Sequence, residues 1–206
     1  MKKLNNYQRT VQYLVKVFKL INEDYFENSL PQPQTTVQST VGAYGHITTS
    51  KVWKNDDGMA SYELNIGADY LYRPIEELVA TLIHESVHLY CLENDIKDTS
   101  NRGIYHNKTF KRIAEDKGHL IISRHPKYGW TITEPSEETL DFCIRHELTD
   151  VLITRQSNVL LPGKSPKTKR PSSTRKYMCP CCGNSFRATK FLRVLCMDCD
   201  EQFVLA

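Results

Sequence analysis

The stretch Leu78 to Tyr90 is apolar at helical spacing, yet it carries His84-Glu85-Ser86-Val87-His88 at its centre. A helix this hydrophobic belongs in a core, and a core penalises imidazoles and carboxylates that have no partner. His84 and His88 stand one turn apart on one helix face, so both rings can bind a single zinc ion. Glu85 is turned about 100° from His84 and can reach the open side of that metal. There it would activate a zinc-bound water, taking its proton during attack on a carbonyl and passing it to a departing amine. A metal site resolves the conflict that the motif creates.

Two histidines do not close a catalytic zinc site, which takes a third protein ligand. Glu93, Asp95, Asp98, His106, Glu115 and His119 all follow within reach. The three acidic residues at 93, 95 and 98 sit in a polar loop and read equally well as solvated. His106 is favoured, because it stands at the mouth of a helix that Phe110 would anchor in the core against the metal helix. His119 and Glu115 rank behind it. His46, His125 and His146 read as surface or loop histidines.

Around the motif the pattern predicts an α+β body, with helices packed on a small antiparallel sheet. Asn6 to Phe26 has apolar residues at steps of three and four and predicts an amphipathic helix, ended by Asn28, Ser29, Pro31 and Pro33. Residues 35–40, a glycine-containing segment over 41–49, and residues 51–53 and 61–66 predict short strands. Pro74 opens the metal helix, which runs to about Leu92. A polar loop to Tyr105 precedes a helix over Asn107 to Lys117, capped by Asn107 and stopped by Gly118. Residues 120–123 and 129–133 read as strands, and Ser136 to His146 is ambiguous, with a short helix as one reading.

The composition changes after residue 154. Residues 155–176 mix Pro162, Gly163, Pro166 and Pro171 with Ser, Thr, Lys and Arg, a linker composition. Residues 177–206 then hold Cys179-Pro180-Cys181-Cys182-Gly183 and Cys196-Met197-Asp198-Cys199. Cys179, Cys182, Cys196 and Cys199 have the spacing of a closed structural zinc site, a small β zinc ribbon. Cys181 offers an alternative register. The 13 residues between the pairs suffice for a hairpin including Phe186 and Phe191. A module of ~30 residues has too little core to fold without its metal.

Charge is divided the same way. Residues 1–154 hold 17 Lys+Arg against 21 Asp+Glu, a net of −4, whereas residues 155–206 hold 10 against 3, a net of +7. Any polyanion is thus expected to meet the tail. Arg175, Lys176, Arg187, Lys190 and Arg193 surround the cysteine module with Tyr177, Phe186 and Phe191 between them, a mixture suited to phosphate contact and base stacking. No apolar run reaches the ~18 residues of a membrane span, and no export signal is legible, so the expected compartment is the cytoplasm. Seven cysteines in a reducing compartment favour metal binding over disulfides, with Cys91 and Cys143 as core thiols.

The order of these features resembles the SprT-like (Spartan-type) zinc metallopeptidase family. The likeness runs from Asp24-Tyr25-Phe26 and Leu30-Pro31 through Ala43-Tyr44-Gly45 and Glu63-Leu64-Asn65-Ile66. It continues through the motif at 84–88 to His106 with Phe110, and ends in the four-cysteine ribbon. The resemblance implies a minimal zincin fold in which His84, His88 and His106 hold a catalytic zinc and Glu85 is the catalytic base, with a second, structural zinc on the cysteines. It also implies protein substrates bound or crosslinked to DNA. Where the family commonly has Gly after the third His, this chain has Asn107, which can adopt the same left-handed backbone or cap the helix. Tyr105 and Tyr128 are candidates to stabilise an oxyanion. The rival expectations are a regulatory protease that cuts one repressor-like partner and a non-enzymatic DNA-binding zinc protein.

Overall fold

Helix α1 (Tyr7–Phe26) starts where Asn6 Oδ1 accepts hydrogen bonds from the N–H groups of Gln8 and Arg9. It stops at Glu27 and Asn28, both left-handed, with φ of 55° and 58°. There the side chain of Asn22 accepts from Leu30 N and donates to Leu30 O, closing the turn. The computed structural model describes residues 3–40, 42–156 and 175–205.

Strands β1 (Gln34–Gln38), β2 (Gly45–Ile47), β3 (Trp53–Lys54), β4 (Ala60–Ser61) and β5 (Glu63–Gly67) follow. One sheet has the order β1-β5-β2, with β5 parallel to β1 and antiparallel to β2. The expectation of an antiparallel sheet is therefore corrected to a mixed one. The β3–β4 hairpin sends the chain back so that β5 inserts between its two predecessors. Apolar alternation marks a strand but is blind to its direction. The buried Asn65 bolts this sheet to the segment after β1, its Oδ1 accepting from Gln38 N at 2.8 Å and its Nδ2 donating to Thr40 Oγ1 at 2.8 Å.

After helix α2 (Ile75–Glu93) come β6 (Thr99–Ser100), β7 (Tyr105–His106), helix α3 (Lys108–Asp116), β8 (Ile121–His125), β9 (Gly129–Glu134) and helix α4 (Glu137–Arg145). The ambiguity at 136–146 resolves to a helix, because Ser136 and Thr139 form a reciprocal cap. The second sheet has the order β6-β7-β9-β8, and β7 runs parallel to β9. Helix α2 packs against α1, α3, α4, β2 and β9, which explains why its apolar residues are not confined to one face. Gly118 does not supply the expected left-handed stop after α3. His119 does, with φ 48°. Gly118 is needed for packing instead, since a Cβ there would stand 2.8 Å from Ala114 O and 2.9 Å from Ile83 Cγ2.

The chain divides into two compact units, Met1–Ser157 and Asn158–Ala206. Arg155 N still donates to Ala68 O at 2.9 Å, so the first unit reaches past the expected limit at 154. Residues 157–174 of the expected linker lie outside the described residues. The second unit holds β10 (Arg175–Met178), β11 (Ser185–Ala188), β12 (Leu195–Cys196), β13 (Glu201–Gln202) and β14 (Val204–Leu205). Its sheet order is β11-β10-β14, beside a β12–β13 pair. Overall the protein is α+β, with four helices among the described residues and several small sheets.

Candidate metal centres

His84 and His88 come from consecutive turns of α2, and His106 ends β7. The three Nε2 atoms converge: 3.2 Å separates His84 from His88, 3.2 Å His84 from His106, and 3.0 Å His88 from His106. Phe110, fully buried on α3, lies against all three rings, with centroids 4.6–4.7 Å away. Its place follows from Asn107, which has an extended backbone and accepts from Thr109 N and Phe110 N, so α3 starts immediately after the third histidine. Of the two roles open to Asn107, capping is the one observed.

The outer nitrogens decide what this cluster can hold. His88 Nδ1 meets Asp98 Oδ2 at 2.5 Å, a carboxylate that takes the ring's proton-bearing side. His84 Nδ1 meets Thr133 Oγ1 at 2.7 Å, while the Thr133 hydroxyl donates to Thr131 O. Each of these rings therefore turns a bare Nε2 lone pair inward. Burial, reinforced by the neighbouring histidines, holds His84 well below the usual imidazole range, and burial lowers His106 to about 4. Neutral imidazoles with converging lone pairs repel one another unless a cation sits among them. Tetrahedral zinc with ~2.0–2.1 Å bonds would separate its ligand nitrogens by about 3.3 Å, close to the spacing found. The residues present thus fit a zinc ion. Among the described residues His106 Nδ1 is buried without a hydrogen-bond partner, so this ring lacks the outer support the other two have.

Glu85 is buried beside the histidines, and its Oε2 accepts from Ile47 N of β2 at 3.0 Å. Burial pushes its carboxyl up to about 7, against the pull of His88 and of the Ile47 N–H. A cleft of about 900 Å³ opens over Glu85 and the three histidines. β2 forms one wall and residues 131–135 another.

The other proposed third ligands lie elsewhere. Asp98 supports His88 and is not part of the triad. Glu93 pairs with Lys51, Glu115 pairs with Lys111, and His119 lies against Tyr25. Asp95 takes a left-handed turn position after α2 and stands outside the triad. Tyr128 lines the cleft, whereas Tyr105 lines a separate small cavity with Trp130. His46 and His125 also line the cleft and are not the plain surface histidines expected. His146 bonds Asp24 on the outside of the body, as a surface residue would. The sequence reading missed the support from Thr133 and Asp98, because that contact spans 49 residues in one case and a loop of undefined path in the other. Asp98, already among the candidate ligands, was its one trace.

In the second unit Cys179, Cys182, Cys196 and Cys199 bring their sulfurs within 4.8 Å of one another. Cys182 and Cys196 are 3.7 Å apart. Cys181 is exposed and outside the group, which closes the alternative register. The two knuckles share one backbone turn: Gly183 N donates to Cys179 O and Asp200 N donates to Cys196 O, and both residues are left-handed. Hydrogen bonding from the Cys182 N–H, above all, holds the Cys179 thiol at about 7, near the thiolate form a metal needs. This cluster is compatible with a zinc ribbon. Cys91 and Cys143 are buried thiols in the body.

Among the basic candidates, Lys176 on β10 stands directly opposite Arg187 on β11, and both are exposed. Arg175 stacks on Phe191, and Lys190 and Arg193 are exposed on the following loop. Tyr177 and Phe186 stack on each other in the ribbon interior, so of the three aromatics Phe191, 73% exposed, is the one on the surface. Among the described residues no helix is long and apolar enough to cross a membrane. Comparison of the chain with known families, curated proteins and solved structures gives no match.

Proposed function

We propose that the body is a zinc-dependent metallopeptidase of the SprT-like, zincin type, and that His84, His88 and His106 hold its catalytic zinc. The observation that carries this reading is the convergence of three histidine Nε2 atoms, two of them bare, under an open cleft that also contains a buried carboxylate. A zinc ion there supplies Lewis acidity to a peptide carbonyl and to a water molecule. Glu85 takes a proton from the attacking water as its oxygen bonds the carbonyl carbon. It then delivers that proton to the amide nitrogen as the C–N bond breaks, so hydrolysis balances with one water consumed. The hydrogen bond from Ile47 aims the carboxylate, whose second oxygen has no hydrogen-bond partner among the described residues and is the one assigned to this transfer. Among the described residues β2 pairs only with β5, so an extended substrate can lie along its other edge.

The ribbon is assigned a structural zinc on Cys179, Cys182, Cys196 and Cys199 and a role in holding DNA, so that substrates are proteins bound or crosslinked to DNA. The Lys176–Arg187 juxtaposition supports this: like charges directly opposite on a sheet repel, and a phosphate between them turns the repulsion into attraction.

The reading is tested with Glu85→Gln. The variant is expected to keep two zinc ions per chain and to lose casein hydrolysis, assayed with and without single-stranded DNA. In parallel, His106→Ala removes one zinc equivalent and Cys196→Ser the other. Full hydrolysis by Glu85→Gln, with both metals retained, overturns the mechanism.

A further inference from the structure

His125 ends β8, and the turn that follows closes back on it: the N–H groups of Lys127 and Tyr128 both donate to His125 Nδ1, at 3.1 and 3.2 Å. A nitrogen that accepts two hydrogen bonds carries no proton, so the ring is held as the tautomer with its hydrogen on Nε2. That Nε2–H has no partner among the described residues, and His125 lines the same cleft as the histidine triad. The turn is tied to the triad. Tyr128 O accepts from His106 N at 2.9 Å, and Gly129 pairs with His106 across β7 and β9. The His125 ring is braced from its other side by stacking on Tyr128, with centroids 4.8 Å apart. An imidazole with a fixed tautomer, a braced plane and an unused donor in a cleft is a preorganised hydrogen-bond donor.

We infer that His125 is a further catalytic residue, donating from Nε2 to the peptide carbonyl oxygen as it gains negative charge. This rests on the peptidase reading above. It moves the oxyanion role from the tyrosine hydroxyls to an imidazole, with Tyr128 bracing it.

Asparagine separates donor from scaffold. In His125→Asn the side-chain oxygen takes the place of Nδ1 and keeps the turn, while no atom reaches the place of Nε2. Full-length wild type, Glu85→Gln, His125→Asn and His125→Ala are compared for steady-state casein hydrolysis, zinc content, thermal unfolding and calorimetric affinity for a phosphinic peptide that mimics the tetrahedral oxyanion. His125→Asn is expected to keep both zinc ions and wild-type unfolding, to lower kcat about 100-fold with little change in KM, and to weaken the phosphinic peptide by a similar factor. His125→Ala adds a fall in unfolding temperature from loss of the turn. Wild-type kcat and phosphinate affinity in His125→Asn, with Glu85→Gln inactive, overturn the inference and leave the peptidase reading standing. Loss of zinc in His125→Asn overturns it too, since that marks a scaffold. Absence of hydrolysis in wild type, or full hydrolysis by Glu85→Gln, overturns both.

Discussion

Asp98 sets which nitrogen of His88 carries the proton, and so sets the direction in which the ring offers its lone pair. Its own position is held through the backbone, where Asn107 N donates to Asp98 O at 3.0 Å. Replacing it with Ala leaves His88 Nδ1 without its carboxylate and weakens the first metal site alone. A competition titration with a chromophoric chelator is expected to show zinc affinity at that site reduced about 10–100-fold, with the cysteine site unchanged. Equal affinity in the variant would mean that the carboxylate plays no part in holding zinc. At this scale the spacing of the motif singled out His84 and His88, because four residues of helix dictate a shared face, and Glu85 as their neighbour on the adjoining face. His106 emerged from a different argument, the anchoring of the next helix by Phe110. The contact of the Phe110 ring with all three histidines could not be read that way, since it depends on how two helices and a strand meet.

The element that holds the site together is the junction of β7 and β9. Gly129 opens β9 with φ 77°, and a Cβ there would fall 2.1 Å from His106 O. Gly129→Ala must both adopt a left-handed backbone, costing about 1–3 kcal/mol, and push His106 away. The variant is therefore expected to lose stability in urea and also to lose zinc from the histidine site while retaining it at the cysteines. Stability lost with zinc affinity intact would show that β7 moves as a rigid piece. Helices α1, α2 and α3 were legible because their apolar periodicity and caps are local signals. The parallel β1–β5 and β7–β9 pairings were not, since a strand's partner and direction depend on the path of the chain between them.

Across the whole molecule, the two units differ in what their folding depends on. The first has a large core of apolar side chains, among them Phe18, Phe26, Phe110 and Phe142. The second has the Tyr177–Phe186–Phe203 stack and four convergent thiols. Strong chelation of the full chain is expected to collapse the amide signals of residues 175–205 to random-coil positions in a heteronuclear NMR spectrum. The dispersed signals of the body should survive. A ribbon that stays dispersed without metal would show that its small apolar stack is enough.

Read alone, the sequence determined the His84–His88 pair, the two cysteine pairs, the helix that carries the histidines and the division between an acidic body and a basic tail. Each of these depends on residue types at short spacing, which the chain carries wherever it folds. The tertiary structure alone decided that the first sheet is mixed, that Asp98 and Thr133 orient the histidines, and that Gly129 admits His106. It also decided that His125 faces the cleft. Those are contacts between segments far apart in the chain, set by packing, and no local pattern encodes them.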